Sequence, residues 1–353
     1  MAEASAISSR PGLSDRPAVF LTGATGFIGR HVLEALHAAG YRVRALVRDP
    51  ADAAQFPEAE VVPGDLRRPG DLARALDGCR YLVHCAALYS FAPRDRPAME
   101  AINAAGTAGL LEAARIAGVE RAVVTSSAGT AGAASPSDDP RLCGGAATEA
   151  DGAAVRTHSA YHRSKVEQER AAVAARVPAV LVLPTATVGP GDRKPTPTGQ
   201  LVLDFARGRM FAAPPAGGLN MVAVEDVARA HVLALERGRP RERYLVGGEN
   251  LDFDQVWRLL AGVTGRPAPR WHVPPALALL AGAADELRCR VWPAAVPRIP
   301  LEGVRMSFER MCVDSGKARA ELGWEPGPVR DALARAVAWY RTHGYLGEAA
   351  AAH

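Results

Sequence analysis

The stretch Thr22-Gly23-Ala24-Thr25-Gly26-Phe27-Ile28-Gly29 limits what this chain can fold into more than any other. A compact apolar run, Ala18–Thr22, leads into it. Behind it, Arg30–Ala39 carries apolar residues at Val32, Leu33, Leu36 and Ala39, and Gly40 supplies a helix stop. A strand that passes into a helix through closely spaced glycines turns tightly. It also leaves the N–H groups of the helix start open to a closely approaching pyrophosphate. Gly23, Thr25, Gly26, Phe27, Ile28 and Gly29 are therefore the candidate residues of a dinucleotide-binding turn. Alone such a motif is weak, and the flanking strand and helix give it weight.

The pattern downstream repeats the same rhythm. Strands are expected at Arg42–Val47, Val61–Pro63, Tyr81–Cys85, Ala122–Thr125 and Ala179–Pro184. Helices are expected near Leu72–Leu76, Asn103–Ala117 and Tyr161–Arg176. Alternation of this kind predicts an α/β fold, a Rossmann-like doubly wound parallel sheet, with a smaller mixed C-terminal substrate lobe. At 353 residues the chain exceeds what one core usually serves. The expected division is a disordered leader over 1–17, a dinucleotide domain over 18–188 with about 221–247, a substrate lobe over 189–220 and 248–345, and a tail over 346–353. Beyond residue 188, helices are expected near Leu201–Arg207, Val227–Arg237, Phe253–Thr264 and Val329–His343, and the proline-bearing stretch Val273–Pro300 as an irregular cap.

Composition narrows the function. A net charge of +4 without a dense Lys/Arg run, and 6% aromatic residues, give no warrant for nucleic-acid binding. No apolar run reaches the roughly 20 residues of a membrane span, and the N-terminal residues lack a signal-peptide pattern. Five scattered cysteines without CxxC spacing are read as reduced thiols in a cytoplasmic protein. The histidines suggest no metal: His158 and His162 stand four apart without a third ligand.

The end of the second strand bears on the choice of dinucleotide. An acidic residue there would bind the ribose 2′-hydroxyl of NAD. This chain has Val47 followed by Arg48, with Arg44 upstream. A guanidinium suits the 2′-phosphate of NADP, by roughly 10- to 150-fold for one charge-assisted bond. NADP is therefore favoured, with NAD left open and a solvated arginine as the plainer account of Arg48.

Further motifs follow in order: Gly64-Asp65-Leu66, Val83-His84-Cys85-Ala86-Ala87, Asn103-Ala104-Ala105-Gly106-Thr107, Thr125-Ser126-Ser127-Ala128-Gly129-Thr130 and Tyr161-His162-Arg163-Ser164-Lys165. With the glycine turn they resemble the extended short-chain dehydrogenases/reductases, especially the dihydroflavonol reductase and 3β-hydroxysteroid dehydrogenase branch. Lys194-Pro195-Thr196-Pro197-Thr198-Gly199 and Tyr244-Leu245-Val246-Gly247-Gly248-Glu249-Asn250 are similar to the bacterial hopanoid-associated sugar epimerases. The chemistry fits the residue types. Tyr161 and Lys165, four apart, share a helix face about 6 Å apart along the axis. A lysine ammonium beside the phenol is expected to pull its pKa below the usual value near 10, so that it exchanges a proton with a carbonyl or alcohol oxygen near neutral pH.

The resemblance implies three catalytic residues, Ser127 on the reacting oxygen, Tyr161 as acid or base, and Lys165, which also holds the nicotinamide ribose. Ser127, next to Ala128, matches the family position better than Ser126. It further implies Asp65 and Leu66 about the adenine, and Ala86, Ala87 and Pro184 beside the cofactor through backbone and shape. A helix cap is the lesser alternative for Asp65 and an equal one for Asn103, for which the resemblance implies a water-linked proton path. His84 is read as packing beside the cofactor. A homodimer through two helices of each dinucleotide domain is implied by the resemblance alone.

Three functions remain at this level. One is an NADPH-dependent reductase of a ketone or aldehyde (or dehydrogenase of the alcohol). Another is a nucleotide-sugar epimerase or dehydratase, and Val47-Arg48 leans away from it. The third is a dinucleotide sensor without catalysis, which would not need Ser127, Tyr161 and Lys165 together. The Pro-Pro-Ala-Leu-Ala-Leu-Leu-Ala stretch from Pro274 and Trp292 are read either as an apolar mouth for a hydrophobic small-molecule substrate or as core of the smaller lobe.

Overall fold

The computed structural model describes residues 16–90, 92–131, 145–151, 159–210, 217–292, 295 and 297–346. Most of the expected leader, most of loop 131–157, His158 and the tail past 346 lie outside these residues. The first half runs β1 Ala18–Thr22, α1 Phe27–Ala38, β2 Arg42–Val47, β3 Glu60–Pro63, α2 Leu72–Ala75, β4 Tyr81–His84, α3 Arg96–Met99, α4 Thr107–Ile116, β5 Arg121–Thr125, α5 Ala160–Ala174 and β6 Ala179–Pro184. The second half runs β7 Ala186–Val188, α6 Pro197–Ala206, β8 Gly218–Ala223, α7 Val224–Arg237, β9 Arg243–Val246, β10 Glu249–Asp252, α8 Phe253–Thr264, α9 Pro275–Val291, α10 Leu301–Met306, β11 Arg310–Met311, α11 Gly316–Leu322 and α12 Val329–Thr342.

Seven strands form one sheet in the order β3-β2-β1-β4-β5-β6-β9, every neighbouring pair parallel. Parallel strands covered on both faces read as continuous apolar runs, and all six residues of β6 are buried. Alternate residues enter two separate cores. Val19, Leu21, Val43, Val83, Val123 and Val180 pack with α1 and α7; Phe20, Leu46, Leu82, Val124 and Leu181 pack with α2 and α4. Strand order reverses between β1 and β4. A crevice opens at such a point beyond the strand C-termini, and ligands of these sheets sit there.

A smaller mixed sheet builds the second lobe. β8 pairs antiparallel with β10 and parallel with β7 and β11. Measured against the expected boundaries at 188 and 221, β7 already belongs to this small sheet and β8 belongs to it through Ala223. Phe205, Trp257, Leu333 and Tyr340 pack in its core.

Two expectations are overturned. Val273–Pro300 is not irregular: α9 occupies 17 residues of it. The prolines bracket the helix instead of interrupting it. Pro274 and Pro275 stand at its start, where a missing N–H costs nothing, and Pro297 and Pro300 lie beyond its end. The thiols are not all reduced either. Cys79, Cys85 and Cys289 are free, but Cys312 is disulfide-bonded to a partner outside the described residues. Proximity in the fold decides such a pairing, and spacing along the chain carries no trace of it.

Candidate active site

The glycine turn is built by close contact. Gly23 has φ +81°, and a side chain there would meet the Ala86 backbone nitrogen at 2.6 Å. A side chain on Gly29 would lie 2.0 Å from the Gly23 carbonyl oxygen. The turn after β1 is thus pressed against the turn after β4. Gly26 caps α1 without any side-chain acceptor, so the N–H groups of Phe27, Ile28 and Gly29 face outward without helical partners. An anion would be stabilised there. This turn, whose close backbone packing any Cβ at Gly23 or Gly29 would break, fits a dinucleotide pyrophosphate.

α5 carries the reactive pair. Ser159 caps it, accepting from the His162 N–H at 3.1 Å. The Tyr161 phenol lies close enough to the Ser127 hydroxyl for it to act on the phenol's pKa, and its ring meets Tyr89 edge-on at 4.3 Å. Burial pushes the phenol up to about 12, while Ser127 pulls weakly down. The expected lowering by Lys165 is therefore not met. Lys165, 1% exposed, turns its ammonium to the Thr125 carbonyl oxygen at 2.8 Å and to Gln168 Oε1 at 2.6 Å. Burial lowers its pKa to about 8, against the pull of Glu169. Two of the three ammonium hydrogens are committed, and one is left.

The two serines separate cleanly. Ser126 Oγ donates to Glu169, which also takes Thr130 and pairs with Arg243 at 3.1 Å. Ser127 instead accepts from the Gly129 N–H at 3.3 Å and meets Tyr161. A side chain on Gly129 would strike His162 at 2.3 Å. The imidazole inside the Tyr-Lys motif thus packs on the Ser127 turn, and that contact explains the glycine.

Behind the pair runs a buried polar chain. Thr107 Oγ1 donates to the Asn103 carbonyl oxygen, so it accepts from His84 Nε2 at 2.8 Å and Gln168 Nε2 at 3.1 Å. Burial holds His84 down at about 3, hence neutral. Its Nδ1 then accepts from Thr22 Oγ1 at 2.7 Å. His84 is thus a hydrogen-bonded strut joining β1, β4 and α4, more than the packing residue expected. On the other side Thr125 Oγ1 meets His231 Nε2 at 2.7 Å, and His231 Nδ1 donates to the Val227 carbonyl oxygen. His231 and Gln168 are members that sequence reasoning missed; neither lies in a quoted motif.

Asn103 is no helix cap. It lies inside the π-helical turn Glu100–Gly106. Its amide accepts from the Leu88 N–H at 2.7 Å and donates to the Leu88 carbonyl oxygen and to Ser164 Oγ, both at 2.9 Å. Both N–H donors are committed, so neither is left for a water.

At the end of β2, Val47 is buried and Arg48 exposed. Arg44 is not available: it pairs with Glu60 at 2.9 Å and donates to the Ala75 and Asp77 carbonyl oxygens. The Asp65 carboxylate is gripped by Arg67 through Nε and Nη2 and by the Arg67 N–H, which with Arg48 nearby holds it down at about 2. Asp65 caps no long helix. Arg67 is the second guanidinium here, and the sequence reading passed over it. Leu66 is buried against Gly106. Ala86 and Ala87 follow β4, Pro184 ends β6, and all three border the same crevice end.

The second lobe reaches the catalytic helix through α10. Glu302 lies close enough to the Ser159 hydroxyl for it to lower the carboxyl's pKa, and close enough to Tyr89 to raise that phenol's. Burial raises the Glu302 carboxyl, and its Oε1 is buried without a hydrogen-bond partner. Two quoted stretches turn out to be structural. Thr196 caps α6, its N–H and hydroxyl both held by buried Asp192, and a side chain on Gly199 would strike Asp192 at 2.1 Å. Asn250 Oδ1 accepts from Asn220 Nδ2 at 2.8 Å and from the Val313 N–H at 3.0 Å.

Comparison with known proteins agrees with this arrangement. The sequence model of the NAD dependent epimerase/dehydratase family matches residues 19–247. A Synechocystis protein provisionally named a dihydroflavonol 4-reductase is 38% identical, over 93% of this chain and 95% of its own. The sterol demethylase protein B of Methylococcus capsulatus is 37% identical, over 92% of this chain and 99% of its own. The crystal structure of gox2253 superposes with a TM-score of 0.77 at 36% identity, covering 94% of this chain and 100% of the other.

Proposed function

We propose, from the premise that this chain belongs to the NAD-dependent epimerase/dehydratase family, that it is an NADPH-dependent reductase of a ketone or aldehyde on an apolar small molecule. The observation that carries this reading is the Tyr161 phenol beside Ser127, one helical turn from the buried Lys165 ammonium. A bound dinucleotide would supply hydride to the carbonyl carbon. Every other requirement falls to the chain. The Gly23–Gly29 turn and the start of α1 would hold the pyrophosphate. Arg48 and Arg67 would meet the 2′-phosphate, and the remaining Lys165 N–H the nicotinamide ribose.

Ser127 would donate to the carbonyl oxygen, and Tyr161 would give it the proton, so that hydride and proton together make the alcohol. A phenol held near 12 by burial carries its proton at neutral pH, which suits an acid in the direction of reduction. Val47, in place of an acidic residue, leaves no carboxylate to oppose a 2′-phosphate. An apolar substrate is in keeping with a relative named for sterol demethylation.

Thermal-shift titrations with NADPH, NADP, NADH and NAD, together with turnover of bulky ketones, test the reading. Saturable stabilisation by the phosphorylated pair is expected, weakened roughly 10- to 150-fold by Arg48→Ala. Tyr161→Phe should lose roughly 10²–10⁴-fold in kcat while keeping the shift. Retained NAD that survives purification, with no gain from the 2′-phosphate, would make the protein an epimerase instead. Full turnover in Tyr161→Phe would remove the phenol from the mechanism.

A further inference from the structure

α9 wears its leucines on the outside. Leu277, Leu280, Leu287 and Val291 are 57%, 67%, 61% and 58% exposed. The face turned to the molecule carries Gly282, Asp285 and Cys289. A side chain on Gly282 would stand 3.0 Å from Leu301 Cα, so α9 lies flush on α10. Asp285 is further tied to the Arg298 and Ile299 N–H groups at 2.7 and 2.8 Å. The helix therefore cannot roll its leucines inward.

At 100° per residue the exposed arc from Leu279 round to Leu277 is about 160° wide, and Arg290 is its one charged residue. A coiled-coil seam for a second copy is narrower, two positions in seven. Beyond the two ends of the helix stand Trp271 and Trp292, 76% and 64% exposed. Arg270 and Arg298 are exposed nearby and make no side-chain ion pair among the described residues. A broad apolar face, tryptophans beyond its ends and exposed, unpaired arginines in the segments that flank it in sequence are the chemistry of a helix lying in a membrane interface. No helix among the described residues is long and apolar enough to cross a membrane.

We propose that α9 seats this protein on an anionic bilayer. Its leucine face enters the headgroup–acyl boundary, the two tryptophans sit at headgroup level and the arginines meet lipid phosphate. On the far side of α9 lies α10, whose Glu302 reaches Ser159 and Tyr89 beside Tyr161. The contact thus places the catalytic pair one helix away from the lipid.

The test reads binding, not turnover, so it succeeds or fails apart from the reductase reading. The full chain is sedimented with phosphatidylcholine vesicles, with and without phosphatidylglycerol. Binding is expected with phosphatidylglycerol, weakened by salt, and reduced on the order of tenfold in Leu280→Glu/Leu287→Glu, with melting temperature unchanged. If that pair of substitutions unfolds the protein, the milder Leu280→Ser/Leu287→Ser serves. A blue shift of tryptophan emission on the same vesicles is expected to shrink in Trp292→Phe. Protein that stays in the supernatant, or binding that the leucine variants leave intact, overturns the proposal. So does a solution dimer that these variants convert to monomer without any vesicle binding, which would assign the face to a second copy.

Discussion

Ser126 and Ser127 are chemically identical neighbours, and hydrogen-bond partners alone separate them. Ser126 is spent on Glu169, a carboxylate already shared by Thr130 and Arg243. Ser127 meets the Tyr161 phenol. Ser127→Ala should therefore cost roughly 10²-fold or more in kcat, as loss of a donor to the developing oxyanion does. Ser126→Ala should leave kcat within a few-fold and cost about 1–3 kcal/mol of stability by removing one of the two hydroxyl donors to a Glu169 carboxylate oxygen. Steady-state kinetics and urea melts on the two variants check this, and equal kinetic losses would refute the assignment. The sequence pointed to Ser127 only through resemblance, because nothing along the chain announces that Glu169 faces its neighbour. The same limit applies to Arg44 and Arg67. Both are arginines near a strand end, yet one is absorbed by Glu60 and two carbonyl oxygens while the other grips Asp65.

At the scale of elements, two neutral imidazoles hold strands to helices. His84 joins β1 and β4 to α4, and His231 joins α7 to β5. Both are fully buried, and burial lowers their pKa values to about 3 and about 4. A base whose folded pKa is depressed binds fewer protons folded than unfolded. Stability is then complete above the unfolded pKa near 6.5 and is lost as pH falls below it. Each imidazole should cost about 1.4 kcal/mol per pH unit from near 6.5 down to its folded value. Melting temperature should accordingly fall between pH 6.5 and 4.5, and His231→Asn should reduce the slope, leaving the share of His84 and of His162, whose pKa burial also lowers. An unchanged slope in that variant would show that His231 is protonated in the fold. Among the elements themselves, α1, β1, β2 and β6 followed directly from apolar period and glycine stops. α9 did not, because proline was weighed as a breaker without regard to its place at the helix ends. Its leucines, read as mouth or core, are not core: Leu277, Leu279 and Leu280 are exposed.

The whole molecule depends on a polar seam between its two sheets. Asn220, 2% exposed on β8, accepts from Thr185 Oγ1 at 2.7 Å just past β6 and donates to Asn250, which in turn clamps Val313. A side chain on Gly247 would lie 2.6 Å from Asn220 Oδ1. This packing accounts for the Gly247-Gly248-Glu249-Asn250 stretch without any substrate. Asn220→Ala should cost about 1–3 kcal/mol, since it leaves buried partners unsatisfied. Calorimetry checks that loss, and a second, earlier transition would show the small lobe melting on its own. A single transition with no loss would mean that the seam carries no stability.

What the sequence determined by itself was local and periodic. Glycines that no side chain could replace marked the dinucleotide turn. A four-residue spacing placed Tyr161 and Lys165 on one helix, and runs of apolar residues marked strands covered on both faces. Tertiary structure decided what depends on groups far apart in the chain. It turned Lys165 toward Thr125 and Gln168, so that burial raises the phenol where a facing ammonium would have lowered it. It brought Glu302 from residue 302 to the cap of the catalytic helix, and it left the leucines of α9 outside. Desolvation and hydrogen-bond partnership are properties of a neighbourhood, and the neighbourhood exists only after the chain has folded.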